Sequence, residues 1–283
     1  MRASVFLAVL AVLAIDRAPA AAQTFFDHST YDTVLAQFVH ASRVDYAALK
    51  LEREGLDRYV SQLGEVTAEE FADWPEAEQI AYLINAYNAF MLKIVIDHYP
   101  IQPGGFFTLK RHAYPNNSVR QIKGVFDAIR HRAAGEQLTL DEIEHNRLRG
   151  DYNEPRIHFA LVCAALSCPS LREEAYRGDR LNEQLDDQGK TFLNDPRNNR
   201  FEPERGRAYL SKVFDWFGSD FEQYAPESGY GGDRDDKVRG VLAFVSRYLL
   251  VRDVEFLRDG DYRVEFYSYD WTLNDQAIAA ASK

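Results

Sequence analysis

The chain has 283 residues, of which 46 % are hydrophobic and 13 % aromatic, enough to bury a sizeable core in one large domain or two small ones. Its formal net charge of −11 argues against nucleic acid and against anionic membrane surfaces as partners, and leaves small ligands open. Its only cysteines are Cys163 and Cys168.

The opening residues read as an export signal. Met1-Arg-Ala-Ser4 is short and basic, residues 5–15 form an apolar core too short to cross a bilayer, and Ala20-Ala-Ala22 closes it. Cleavage is expected after Ala22, leaving 23–283 as a single globular domain, periplasmic or secreted, in a compartment that permits disulfides. No other stretch is expected to be long and apolar enough to cross a bilayer, so no membrane insertion is expected after cleavage.

Ser29 is placed to cap a first helix with Tyr31, Val34, Leu35 and Phe38 on one face. A second helical pattern covers 47–63. Asp73-Trp-Pro-Glu76 is a start signal for the longest helix, which ends near His98 before Tyr99-Pro100. Residues 101–120 read as an irregular surface segment. Thr139-Leu-Asp-Glu142 is a capping box opening a short helix to Arg149. The apolar run 156–163 reads as a central strand covered on both faces, followed by helical patterns at 169–176 and 180–194. A short strand at 209–213 precedes Phe214-Asp-Trp-Phe217, an aromatic core anchor, and a glycine-rich loop at 229–236 leads into a helix at 237–250. Strands at 254–257 and 262–269 are expected to meet across Arg258-Asp-Gly-Asp261 as a C-terminal β-hairpin. Together these predict an α+β domain, mostly helical, with a small central sheet.

Strand alternation puts His158 and Cys163 on opposite faces with roughly 16 Å between them, a poor pair. Cys168 is the better thiol: it precedes Pro169 at the expected start of helix 169–176, where the positive helix end favours a thiolate. Yet cysteines five apart in an exported chain can also close a disulfide contributing about 2 kcal/mol. Both readings stay open. His145 and His158 are the candidate bases for Cys168. Asn85 and Asn88 share a flank of the long helix and serve either as donors that polarise a carbonyl or as ties to a neighbouring loop. Asp270 can orient a histidine or cap the turn that follows it. Asp141, Glu142 and His145 lack any metal-site spacing and read as a solvated face, so neither metal nor cofactor is expected.

Asn85-Ala-Tyr-Asn-Ala-Phe90, Ile143-Glu-His145, the 156–163 run, Ser167-Cys-Pro169, Lys212-Val-Phe-Asp-Trp-Phe217 and Tyr269-Asp-Trp-Thr-Leu-Asn274 occur in that order. In this the chain resembles the domain-of-unknown-function 547 family, over about 30–275. The resemblance implies one domain and supplies no reaction. A looser likeness is to transglutaminase- and papain-like folds, where Asn85 or Asn88, His158 and a later Asp would follow the order of an active-site helix, a histidine strand and an acidic strand.

Two functions are expected from these readings. The first is a thiol-dependent hydrolase or acyl transferase on a peptide-like or thioester substrate, with Cys168 as nucleophile, His158 or His145 as base and Asn85 or Asn88 as oxyanion donors. The alternative is a non-catalytic periplasmic binding or assembly module with Cys163–Cys168 as a structural disulfide. A small-molecule or peptide-like ligand suits either.

Overall fold

A helix with apolar residues on nearly every face is stable only where protein surrounds it, and 76–98 is such a segment. In the structure, a computed structural model describing residues 25–103, 113–226, 229–230 and 232–281, it is helix α5, Glu76–His98. Every residue from Ile80 to Leu92 is buried. By length and composition α5 could cross a membrane, contrary to the expectation that no stretch after the signal is apolar enough; its most apolar window is 89 % buried within the protein. The expected export signal, with its cleavage point at Ala22, and part of segment 101–120 lie outside the described residues.

Four short helices precede it: α1 (Ser29–Phe38), α2 (Tyr46–Leu51), α3 (Glu54–Glu65) and α4 (Ala68–Ala72). α1 lies on α3, and both α2 and α3 lie on α5. The helical pattern over 47–63 is thus two helices, with Asp45 capping α2 by accepting the Ala48 amide. The Ser29 amide and hydroxyl both donate to Asp27, so Asp27 holds the start of α1 that was expected of Ser29.

The strands are small: hairpin β1 (Val39–His40) with β2 (Arg43–Val44), hairpin β3 (His131–Ala133) with β4 (Glu136–Leu138), and the sheet β5 (Arg200–Glu202), β6 (Arg207–Leu210), β7 (Arg263–Phe266). β5 runs antiparallel to β6, and β7 runs parallel to it with Phe266 opposite Leu210. With helices Lys212–Phe217, Asp236–Val245 and Val251–Asp259, this sheet encloses a second apolar cluster around Phe159, Phe214 and Phe221. Gly240 lets helix Asp236–Val245 lie flush on the turn before it, since a Cβ there would overlap the Phe221 carbonyl.

The fold is α+β, and four expected elements are corrected. There is no C-terminal hairpin: 254–257 lies inside helix Val251–Asp259, which Gly260 ends at φ 75°, so the Asp-Gly pair serves as a helix stop. The three small sheets replace a central one. Segment 156–163 is not a strand but a 3-10 turn, Pro155–Phe159, followed by irregular backbone. Segment 169–176 is not a helix. Buried backbone without a strand or helix partner needs other hydrogen bonds, and side-chain amides provide them. Asn88 donates to the Ala160 carbonyl (3.0 Å) and accepts the Val162 amide (2.9 Å). Asn85 does the same for the backbone carbonyl and N–H of Tyr176, at 2.8 and 2.9 Å. Gln184 and Gln188 donate to the carbonyls of Ala175 and Ser170.

Candidate active site

The Thr139–Glu142 capping box forms as read: Thr139 N–H donates to Glu142 Oε2 and Glu142 N–H to Thr139 Oγ1. What it opens is a π-helix, Glu142–Leu148, a wide-turned form found disproportionately at functional sites. It carries Glu144 and His145 onto a pocket of about 360 Å³. Tyr87 of α5, Leu161, the two cysteines and Tyr269 share that pocket, with Trp216, Phe217 and Trp271 on its walls.

Glu144 has an unusual proton affinity. The residue reaches the pocket, but its carboxyl is packed round by protein, and that burial raises its pKa to about 7; nearby Arg149 and a hydrogen bond with Tyr87 oppose the shift only in part. His145 is lowered by burial and then by Arg149, whose Nη1 donates to His145 Nδ1 at 3.0 Å. The neutral imidazole therefore carries its proton on Nε2. His158 is fully enclosed, stacked on Phe217 at 4.3 Å, and its Nε2 lies 2.8 Å from Asp220 Oδ2. Burial lowers His158 despite that carboxylate. Asp220 ionises well below the ordinary range: burial opposes it, and hydrogen bonds from Arg149 (2.6 and 2.7 Å) and His158 prevail. Arg149 and Asp220 thus join the two histidines into one network.

Cys163 and Cys168 form a disulfide. The loop that carries them turns through Ala164 at φ 60° and lies against the C-terminal segment, with Leu166 N–H donating to the Thr272 carbonyl (2.8 Å) and Asn274 N–H to that of Ala164 (3.0 Å). This places the Tyr269 hydroxyl 3.0 Å from each sulfur. Burial pushes the Tyr269 pKa far up, so the phenol stays an O–H donor. In the same pocket the Arg120 guanidinium lies 5.0 Å from the Tyr114 ring and 5.1 Å from the Trp271 ring. Its Nε is buried without a hydrogen-bond partner.

Of the residues expected at a site, Cys168, Cys163, His145 and His158 do line this one pocket. The free-thiolate role expected of Cys168 is corrected: its sulfur is bonded, and the helix that was to activate it is absent. His158 is corrected as its base, since its Nε2 serves Asp220. Asn85 and Asn88 are ties to buried loops rather than oxyanion donors. Asp270 orients no histidine: it caps a turn by accepting the Thr272 amide at 2.9 Å. The histidine strand that the papain-like likeness implied is a 3-10 turn at His158. Glu144, Tyr87, Arg120, Asp220 and Tyr269 were missed as site residues. The one available signal was an acid next to a histidine just after a capping box. Among the described residues, no three His, Cys, Asp or Glu side chains are placed to hold a metal ion.

Fold and site together define an α+β protein with an aromatic-walled pocket that holds acid–base groups beside a disulfide. The model of the family described as protein of unknown function, DUF547, matches residues 71–193. That span includes the Asn85–Phe90, Glu144–His145 and cysteine motifs; the motifs at 212–217 and 269–274, which complete the pocket, fall outside it. Neither curated proteins nor solved structures yield a match.

Proposed function

We propose that this pocket is the active site of an exported hydrolase or acyl transferase acting on a small peptide-like or thioester substrate. The observation that supports it is Glu144, a residue lining the pocket whose carboxyl is enclosed beside Tyr87 and titrates at about 7. A group so poised takes a proton above that pH and gives one below it. As carboxylate, Glu144 would accept the proton of the water or acceptor hydroxyl attacking the acyl carbon, then return it to the leaving group. Trp216 and Trp271 would hold an apolar acyl portion, and Arg120 a substrate carboxylate.

The test is hydrolysis of p-nitrophenyl acetate and of a small S-acetyl thioester by the oxidised protein. kcat/KM should rise with pH through about 7 and be lost in Glu144→Gln. Unchanged turnover in that variant would remove Glu144 from the chemistry. The second reading, a binding module with Cys163–Cys168 as a clip, is favoured by the absence of a free cysteine thiol. It predicts saturable change in tryptophan fluorescence on ligand addition with no turnover at any pH.

A further inference from the structure

We propose that the Cys163–Cys168 disulfide is an exchange centre for thiol compounds, either low-molecular-weight thiols or cysteine-bearing peptides. A disulfide that only staples a fold can lie anywhere; this one forms part of the wall of the aromatic pocket. Cys163 is half-buried and Cys168 is 6 % exposed, so Cys163 is the more accessible residue of the pair.

Attack on Cys163 makes Cys168 the leaving sulfur, and the donors that would hold a thiolate there are in place. The Cys163 backbone N–H lies 3.0 Å from Cys168 Sγ, and the Tyr269 hydroxyl lies at the same distance. The incoming group attacks as the thiolate it forms in solution. The loop is tied to the C-terminal segment by backbone hydrogen bonds at Ala164 and Leu166, so opening the S–S bond leaves it anchored.

In the first step a thiolate forms a bond to Cys163 Sγ while the S–S bond breaks, and its electron pair leaves on Cys168. In the second step another thiolate attacks the ligand sulfur of the mixed disulfide and releases Cys163 as thiolate. Two thiols are oxidised to one disulfide, the protein disulfide is reduced to two thiols, and the protons released by the ligands end on the cysteines. The reverse sequence re-forms the protein disulfide. Glu144 takes no part, so this activity stands or falls independently of the acyl chemistry.

The test treats the oxidised chain with reduced glutathione at neutral pH, followed by acid quenching, intact mass and peptide mapping. Expected are a transient glutathione adduct on Cys163, and exchange about tenfold faster in the native chain than in the guanidinium-unfolded chain. Cys168→Ser, treated with oxidised glutathione, should retain the adduct on Cys163. Tyr269→Phe, if folded by circular dichroism, should slow exchange about tenfold, since it removes one donor to a charged sulfur. A disulfide that reacts only after unfolding, an adduct on Cys168, or wild-type rates in folded Tyr269→Phe would each overturn the proposal. Should Tyr269→Phe not fold, the native-to-unfolded comparison on the unaltered chain decides.

Discussion

Glu144 was visible in the sequence only as one acid in a charged helix, and its neighbours Arg147 and Arg149 gave that helix the look of a solvated face. What the sequence does not display is the π register, which turns Glu144 under Tyr87. Its raised pKa sets a stability prediction. Between about 4.5 and 7 the folded chain keeps a proton that the unfolded chain gives up, so this group costs stability as pH rises through that window. Glu144→Gln should therefore gain in urea midpoint relative to the unaltered chain at pH 8, and show no such gain at pH 4. His28 behaves oppositely. Buried at 2 % exposure beside the Tyr59 hydroxyl, it is lowered by burial from 6.5 to about 4. The unfolded chain then binds the proton first, and stability is lost as pH falls from 6.5 towards about 4, by about 3 kcal/mol from this residue alone. Urea midpoints across that range should fall, and His28→Gln should flatten the slope.

At the scale of elements, long periodic segments were legible and buried irregular ones were not. α5 was read correctly from its start signal and unbroken apolar surface, as was helix Leu181–Leu193. Segment 156–163 deceived because an apolar run bounded by proline looks alike whether ladder bonds or side chains satisfy its backbone. Here Asn88 takes the place of a neighbouring strand. The same ambiguity let Asp259-Gly260 pass for a hairpin turn when it ends a helix. Asn85 illustrates what such a tie is worth. Asn85→Ala would leave the buried N–H and carbonyl of Tyr176 without these partners, at about 2–4 kcal/mol for the two groups, seen as a lower urea midpoint. Gly240→Ala should also destabilise, by forcing helix Asp236–Val245 off the Phe221 carbonyl.

For the whole molecule, the disulfide closes a loop of only five residues' separation, and its loss should cost about 2 kcal/mol. Reduced protein should stay folded, with an unchanged far-ultraviolet dichroism spectrum and a modestly lower thermal midpoint. The pocket sits where the two apolar clusters meet. Tyr87 and Leu161 belong to one, Val213 to the other, and Tyr269 packs against both. A molecule lodged there touches both halves at once and acts as a bolt through them. Its binding energy is then spread over the entire chain. Amide protons deep in α5 and in the β5–β6–β7 sheet, far from any ligand atom, should slow their exchange with solvent together and to the same degree.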